Sequence, residues 1–438
     1  MTEKKQHRGH NEGTIYQTAD GKWRGAVFLG VSPAGKPIRK YVSGKTKAEV
    51  RGKVKEILAV HDRGLPVAAK SQTVQQFLEG WLQDVVLPNE RPTTYESYAS
   101  VVRTHLVPAL GRHKLEKLTA QHIQKMLNER KDAGLSGRTL MNIRAILRAA
   151  LNQALRWDLV IRNVATLTDP PKLEPFEAKP LSPADVLKFL NAAKGDRLEA
   201  MYALTVWLGL RQGEVFGLRW EDIDLEEGVL RIRKQLQYRR QETINALELK
   251  KLSAFDRERV ETLRTSLKDK VEAAKNADER KKAEKALKNA KLPFLVDPKT
   301  EQSKRQLPLP KPVVDALKAH REAQAQEQVL AGRYWKGEEW GLVFCSTIGT
   351  PLDPSNVTKQ YRAILKAAGI DQRRFHDLRH SCGTFLTARN VHPRVVMQIL
   401  GHSQISTTMN TYSHVDLETM TDALDAITDI FAPDNPST

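Results

Sequence analysis

A stretch near the C-terminus combines residues that could carry out covalent chemistry. Gly401, His402 and Ser403 are followed, after a short gap, by residues 406–414, which include Tyr412. A tyrosine hydroxyl is a poor nucleophile near neutral pH, because its unperturbed pKa is about 10. The hypothesis that Tyr412 attacks a phosphodiester therefore requires cations and proton donors elsewhere in the chain.

Candidates for those groups lie upstream in short motifs. Arg211 lies in G-L-R-Q-G-E, where the alternative to a functional role is a surface ion pair with Glu214. In H-D-L-R-H, His376 and Arg379 are three residues apart, so on a helix they would share a face. Lys299 follows an Asp-Pro pair in a predicted turn. Each motif alone is weak evidence, since H-x-x-R arises often by chance.

The composition indicates a polyanionic partner. The 438 residues have a formal net charge of +18, which favours nucleic acid, although ribosome-associated or merely basic proteins share this feature. At about 150 residues per domain, the length predicts three domains. Cys345 and Cys382 show neither paired nor metal-ligand spacing, which indicates a reducing cytosol and no zinc finger. No apolar run approaches the ~20 residues of a membrane span, and the basic start, residues 1–11, precedes no signal-peptide core.

Residues 13–44 are punctuated like a small sheet by turn-forming Asp-Gly and Pro-Ala-Gly sequences. The predicted strands are residues 14–16, 23–28 and 38–42. Thr46 and Glu49 have capping-box spacing and begin a helix that packs on the sheet. Cationic residues lie on or beside the strands: Lys22, Arg24, Lys36, Arg39 and Lys40. Since alternate side chains of a strand leave one face, the sheet could enter a DNA groove; a small solvated domain is the alternative.

A helical region follows a polar link. Apolar stripes at helical spacing predict four helices, which begin at Thr73, after Pro92, at Thr119 and near Ser136. The stripes are expected to form a core. Arginines lie on the polar sides of these helices: Arg138, Arg144, Arg148 and Arg156. They could face phosphates, or they could simply be solvated.

The second half of the chain contains a linker, a mixed domain and a charged insertion. Prolines in residues 163–182 predict the linker, which ends where Ser182 caps a helix. An apolar helix is predicted at 198–208. Strands are predicted at 229–232, 294–296 and 306–309, and the last two are expected to form a hairpin with its turn at Asp297-Pro298-Lys299. Residues 241–291, rich in Lys, Glu, Ala and Arg, predict one long helix or a helical hairpin turning near Asn276.

The motifs, in this combination and order, resemble those of the tyrosine recombinases, the phage integrases and their relatives. The most specific are L-G-H-S and the following S-T-T-x-x-T-Y-S-H. The resemblance covers almost the whole chain and implies a multidomain α+β fold. Residues 1–65 would form an arm-type DNA-binding domain of three strands plus a helix, and residues 72–168 an all-α, SAM-like core-binding domain. Residues 175–438 would form a mainly α catalytic domain with a small antiparallel sheet and the insertion at about 241–291.

The resemblance also implies how the phosphate is attacked. Arg211 and Arg379 would each donate bidentate hydrogen bonds to the non-bridging oxygens and stay cationic throughout. Glu214 would orient Arg211. Tyr412 would form a 3′-phosphotyrosyl link that conserves the bond energy, so we expect no metal ion, ATP or other cofactor.

Proton transfer involves further residues in this interpretation. The resemblance assigns protonation of the departing 5′ oxygen to Lys299, with Lys304 as a nearby alternative. His376 would exchange a proton with the tyrosine or with the attacking 5′ hydroxyl, and His402 would hydrogen-bond the scissile phosphate. Two other histidines are expected to be structural: His380 and His414.

The function implied is that of a site-specific DNA recombinase that integrates or excises a phage or another mobile element in the cytoplasm and nucleoid of a bacterial host. The expected partners are double-stranded attachment sites, three further copies in a homotetramer, an excisionase and a host DNA-bending protein, with no membrane. Expected DNA contacts are Arg24, Arg39, Lys40, Arg144 and Arg148. A helix at 417–431 would pack on a neighbouring subunit or on its own domain. The alternatives are a type IB topoisomerase and a DNA-binding regulator that keeps the fold without the chemistry.

Overall fold

The computed structural model describes residues 13–31, 37–62, 72–173, 179–240, 244, 249, 252–298 and 300–402. The chain divides into two compact units, residues 1–175 with 242–252 and residues 176–241 with 253–438. None of the helices in the described ranges combines the length and hydropathy of a membrane span. Several predictions concern residues outside those ranges: the basic start at 1–11, the turn at 33–35, Lys36, Lys299, Tyr412, His414 and the helix at 417–431.

The first unit begins with the predicted sheet and helix. Its elements are β1 (Thr14–Gln17), β2 (Trp23–Val31), β3 (Pro37–Gly44) and α1 (Lys47–Asp62). The sheet is antiparallel in the order β1-β2-β3, which confirms the three strands. Thr46 accepts the backbone N–H of Glu49 at 3.2 Å, so the predicted cap begins α1. Val27 packs with Val50 and Val54 between sheet and helix.

The predicted helices of the next region are also present. They are α2 (Val74–Trp81), α3 (Pro92–Val101), α4 (Ala120–Asp132) and α5 (Gly137–Arg156). The side chains of Thr73, Thr119 and Ser136 accept backbone N–H groups in the first turns, as predicted. Both α2 and α3 continue through π-helical turns that end just before Leu87-Pro88 and Val107-Pro108. A wider turn accommodates proline, which lacks an N–H and crowds the carbonyl four residues back.

The second unit is mainly helical around one hydrophobic core. Its helices are α6 (Pro183–Ala192), α7 (Glu199–Leu208), α8 (Gln212–Phe216), α9 (Ala254–Glu272), α10 (Ala277–Asn289), α11 (Lys311–Ala331), α12 (Pro354–Ala367), α13 (Phe375–Ala388) and α14 (Pro393–Leu400). Helix α7 is buried along most of its length, through Met201, Tyr202 and Leu204 among others. This explains why its sequence is apolar on every side rather than amphipathic.

The strands of the second unit pair differently from the prediction. They are β4 (Ile223–Asp224), β5 (Val229–Ile232), β6 (Gln235–Arg240), β7 (Lys291–Val296) and β8 (Arg305–Pro308). The predicted hairpin between 294–296 and 306–309 is wrong, because β7 pairs with β6 and β8 pairs with β5. Both partners come from residues 229–240, so β7 and β8 belong to two different pairings and do not form a hairpin.

The charged insertion forms a helical hairpin, one of the two predicted alternatives, and not one long helix. Helices α9 and α10 lie between the ends of β6 and β7 in the chain, and Asn276 caps α10 by accepting the N–H of Glu279 at 2.8 Å. The buried side chains of α9 are Val260 and Leu267. With so little apolar surface, the hairpin depends on specific contacts to hold it in place.

Candidate active site

The first cation of the site lies where α7 turns into α8. Helix α7 ends at Gly209 in a left-handed conformation, with φ of 59°, and a Cβ there would lie 2.5 Å from Leu400 Cδ2. Glycine is therefore needed at this turn. Arg211 then precedes α8, and its backbone N–H and Nη1 donate to the two carboxylate oxygens of Glu214 at 3.0 and 2.7 Å. Glu214 is only 1% exposed and Arg211 33%, so the pair is partly buried and is not the surface ion pair considered as the alternative.

Glu214 also binds an arginine that the sequence prediction did not assign to the site. Arg305 of β8 donates from Nη2 and Nη1 to the two carboxylate oxygens at 3.0 and 3.3 Å, and its side chain is 7% exposed. Burial acts to raise the pKa of Glu214, but the charges of Arg305 and Arg211 hold it below its usual range. One ionised carboxylate therefore orients two guanidiniums.

The same two arginines hold the end of α14. Arg305 Nε donates to the carbonyl of Ile399 at 2.8 Å, and Arg211 Nη2 donates to the carbonyl of Gly401 at 2.6 Å. Gly401 has φ of 63°, and a Cβ on it would lie 2.7 Å from Arg305 Nη1. The position of His402, the next residue, therefore depends on the buried ion network.

Helix α13 supplies the second predicted arginine and a histidine. Arg379 is 2% exposed, and its Nη1 donates to the carbonyl of Gly209 at 2.7 Å, next to the segment that carries Arg211. His376 is solvent-exposed, and its ring packs edge-on against that of His380, with 4.9 Å between ring centroids. Partial desolvation by its neighbours, followed by the charge of Arg379, lowers the pKa of His376 to about 4.

His402 lies in the electrostatic field of three arginines. Partial burial, followed by the charges of Arg379, Arg211 and Arg305, lowers the pKa of His402 to about 3. Both imidazoles are therefore neutral near pH 7, each with one ring nitrogen that can donate a hydrogen bond and one that can accept one, whereas the guanidiniums stay cationic. This combination suits a phosphate whose non-bridging oxygens gain negative charge during substitution.

Two predicted participants, Lys299 and Tyr412, lie outside the described residues. The chain just before Lys299 is held by two contacts: Lys234 Nζ lies 2.8 Å from the Asp297 carboxylate, and Gln235 donates to the Asp297 carbonyl at 3.1 Å. Within the ranges that the structure covers, no group of three or more His, Cys, Asp and Glu residues could hold a metal ion.

A sequence signal for Arg305 did exist. In β8 and the residue after it, positions 305, 307 and 309 alternate with exposed positions, and Leu307 and Leu309 are buried. A charged residue in phase with two buried leucines lies on the inner face of the strand and needs a buried counter-charge. Glu214, next to a predicted functional arginine, was the available candidate.

The register of the N-terminal sheet separates the predicted DNA contacts. Arg24 lies opposite Tyr16, and Arg39 lies opposite Phe28, on the face that α1 does not cover. Lys40 follows Arg39 directly and belongs to the other face, since strand side chains alternate. The exposed face therefore combines arginines with aromatic side chains, and Lys40 lies outside it.

The two predicted contacts on α5 also differ in their surroundings. Arg144 donates from Nε and Nη2 to the hydroxyl and carbonyl of Thr168, both at 2.8 Å, so its guanidinium ties α5 to a later segment of the same unit. Arg148, one turn further along, is exposed. Arg148 is thus the better placed of the two to reach an external phosphate.

The second half of the chain matches a known protein family. A model described as the phage integrase family matches residues 179–419, more than half of the chain. The chain belongs to the phage integrase family. Models of a phage integrase N-terminal SAM-like domain and of a phage integrase N-terminal region match residues 73–130 and 107–160. A protein of Caldanaerobacter subterraneus subsp. tengcongensis named tyrosine recombinase XerC-like is 31% identical to this family member over 418 residues, 93% of this chain and 96% of that protein.

Solved structures share the integrase fold. The Tn1549 transposon integrase in complex with a circular intermediate DNA has a TM-score of 0.59 and 19% identity, covering 82% of this chain and 100% of that one. A lambda integrase from a tetramer bound to a Holliday junction has a TM-score of 0.50 and 17% identity, covering 93% and 97%. The predicted multidomain α+β integrase fold is confirmed. The family places the chain among the tyrosine recombinases, enzymes that cleave and rejoin DNA at specific sites through a tyrosine intermediate.

Proposed function

We propose that Arg211 and Arg379 hold the scissile phosphate while Tyr412 attacks it. The observation that carries this proposal is the buried carboxylate of Glu214, which fixes Arg211 through two hydrogen bonds and binds Arg305 as well. Donors that are fixed before the substrate arrives need no reorganisation as negative charge develops, and they stabilise the transition state for that reason. Attack forms the bond from the tyrosine oxygen to phosphorus and breaks the bond to the 5′ oxygen.

Each proton in this step needs a donor or an acceptor. We assign the proton received by the departing 5′ oxygen to Lys299, because a lysine ammonium can donate a proton and cations close to it would ease that release. His376, neutral at pH 7, would accept the proton of the Tyr412 hydroxyl. His402 would donate a hydrogen bond to the phosphate. Rejoining reverses these transfers with a 5′ hydroxyl as the nucleophile.

DNA recognition is divided among three proposed domains, at residues 1–65, 72–168 and 175–438. The first would bind arm-type DNA through the sheet face that carries Arg24 and Arg39. The aromatic neighbours on that face supply apolar contact beside the charges that bind phosphate. The second would hold the core site with help from the exposed Arg148, and the third would carry out the reaction.

The assembly we propose is a homotetramer that synapses two attachment sites and exchanges strands in two rounds. The lambda integrase structure, a tetramer on a Holliday junction, supports this proposal by analogy. Integration and excision of a mobile element would take place at the nucleoid in a bacterial cytoplasm. An excisionase and a DNA-bending protein of the host would set the direction.

A suicide substrate tests the proposal. The full chain is incubated with a duplex that spans the junction of the element with host DNA and is nicked beside the cleavage site. Wild type should accumulate a covalent adduct, whereas Tyr412→Phe should bind the same duplex and trap none. An undiminished adduct with Tyr412→Phe, or none with wild type, would refute the assignment and, in the second case, favour a DNA-binding regulator.

A second assay separates recombination from relaxation. Plasmids with paired attachment sites should yield recombinant products that depend on both sites. A type IB topoisomerase would instead relax supercoiled plasmid without those sites and give no recombinants.

A further inference from the structure

The charged insertion is anchored to the catalytic unit by one arginine of its first helix. Arg259 of α9 places its guanidinium carbon 4.5 Å from the centre of the Trp340 ring, 5.1 Å from that of Phe255 and 5.8 Å from that of Phe294. Phe255 and Trp340 also pack edge to face on each other. A cation enclosed by aromatic rings and largely removed from water interacts strongly with them.

The polar contacts of Arg259 extend from the insertion to strand β7. Its Nη1 donates to Asp256 of the same helix at 2.9 Å, and its Nη2 donates to the backbone carbonyl of Pro293 at 3.1 Å. The side chain is 19% exposed. A single guanidinium thus joins α9, β7 and the segment that contains Trp340.

Among the described strands, β7 pairs with β6 alone, because the two form a sheet of only two strands. A two-stranded ribbon is marginally stable in water by itself. On the β6 side, the hydroxyl of Tyr238 donates to the carbonyl of Leu352 at 2.9 Å. On the β7 side, Arg259 provides the corresponding anchor at Pro293. From there the strand runs through Val296 to Asp297, two residues before Lys299.

We propose that Arg259 is a positioning residue for strand cleavage. The insertion braces β7, which ends three residues before Lys299 in the chain, and the position of this strand would govern how well Lys299 reaches the departing 5′ oxygen. This inference rests on the proposed role of Lys299 as the proton donor. It gives the insertion a function in proton transfer, with α9 acting through the strand and not through contact with the phosphate.

The test uses two suicide substrates that differ in one atom. In the second, sulfur replaces the bridging 5′ oxygen, and the P–S bond breaks to release a thiolate. Because a thiol has a pKa near 8.5, far below that of an alcohol, this leaving group needs no proton. On the oxygen substrate, Lys299→Ala should slow single-turnover cleavage by roughly 10²–10⁴-fold, the usual contribution of a general acid. Arg259→Ala should slow it by about 10–100-fold, as expected for a misplaced catalytic group.

On the sulfur substrate, both variants should cleave at close to the wild-type rate. Arg259→Lys keeps the positive charge but loses the planar group that packs on the aromatic rings and the fixed arrangement of its N–H donors. Its cleavage rate on the oxygen substrate should therefore lie between those of Arg259→Ala and wild type. Arg280→Ala is the matched control, since Arg280 is an exposed arginine of α10 that pairs with Glu284. Its rates should equal those of wild type on both substrates.

Three outcomes would overturn the inference. In the first, Arg259→Ala cleaves the oxygen substrate at the wild-type rate. In the second, Arg259→Ala cleaves the sulfur substrate slowly, although Lys299→Ala cleaves it at close to the wild-type rate. In the third, Lys299→Ala also cleaves the sulfur substrate slowly, which refutes the role of Lys299 and so removes the basis of the inference. DNA affinity is measured for every variant. If Arg259→Ala no longer binds DNA, the cleavage rates of Arg259→Lys on the two substrates replace those of Arg259→Ala in the test.

Discussion

Replacing Glu214 with glutamine should both destabilise the catalytic unit and slow cleavage. The carboxylate accepts four hydrogen bonds, two from Arg211 and two from Arg305, with each oxygen accepting one from each arginine. A glutamine side chain keeps one acceptor oxygen and presents an NH₂ donor in place of the other. Whichever way the amide is oriented, two of the four donors lose their acceptor and the two cations lose their counter-charge.

The expected loss of stability follows from the burial of this network. Removing one partner of a buried ion pair costs about 3–5 kcal/mol, and the two hydrogen bonds that glutamine retains place our expectation near the lower end, about 3 kcal/mol. The measurement is urea denaturation of the full chain at pH 7. Glu221→Gln is the control, because that carboxylate pairs with Arg219 but is 55% exposed, and exposed pairs contribute about 1 kcal/mol or less.

The direction of the Glu214 pKa shift predicts how the difference in unfolding free energy between wild type and Glu214→Gln depends on pH. The pKa of Glu214 is held below its usual range in the folded state, although burial alone would raise it. Its contribution is therefore complete above the unfolded-state pKa of about 4.3 and is lost as the pH falls through the lower folded-state pKa. The gap between wild type and Glu214→Gln should be constant near neutrality and narrow only in acid.

Cleavage of the suicide substrate gives the functional readout. With Arg211 no longer fixed by the carboxylate, single-turnover cleavage should fall at least about tenfold, because part of the electrostatic preorganisation is lost. If Glu214→Gln matched Glu221→Gln in stability and cleaved at the wild-type rate, the shared carboxylate would not be what holds the arginines in place.

The remaining predictions concern three other site residues. Arg379→Ala should bind DNA with near wild-type affinity in a gel shift but cleave about 10²–10³-fold more slowly, because one donor to the phosphate is missing while most contacts persist; loss of binding would contradict this. The NMR titration midpoint of His402 should lie far below 6.5, its pKa being about 3, and should rise when uncleaved DNA is bound; a midpoint near 6.5 in the free protein would contradict the geometry. Gly401→Ala should lower the thermal midpoint more than Gly369→Ala, because both residues have positive φ but only the former has an arginine nitrogen within 2.7 Å of the new Cβ; equal shifts would refute the steric argument.

Local chemistry made the helices predictable. Thr73, Thr119 and Ser136 each accept a backbone N–H in the first turn that follows. A cap of this kind involves residues only three apart, so sequence spacing alone reveals it. The strands that pair with β7 and β8 could not be predicted in this way. These partners, β6 and β5, both lie before the insertion in the chain, and which of them pairs with which strand depends on packing across the whole unit.

The site, too, contains residues that the sequence predicted and a contact that it did not. Arg211 and Arg379 were identified from motifs and from a family resemblance, and the structure brings both to the turn after α7. Arg305 and Glu214 are 91 residues apart in the chain, so their ion pair could be recognised only in the folded structure. The sequence signal for it was a charged residue on the buried face of a strand, and the predicted hairpin did not take this residue into account.

Burial and the three arginines of the site together explain why His402 is neutral. Arg211 and Arg305 share the single carboxylate of Glu214, and Arg379 adds a third positive charge nearby, so the free site keeps an excess of positive charge. That excess lowers the pKa of His402 to about 3, after burial, because a further positive charge there is repelled. A bound phosphate would supply the missing negative charge and raise that pKa. Without DNA, the His402 imidazole is neutral and has no acidic proton to give. Once the phosphate is bound, the same imidazole would be better able to donate a hydrogen bond or a proton. Substrate binding and proton transfer are thus linked through the same three cations.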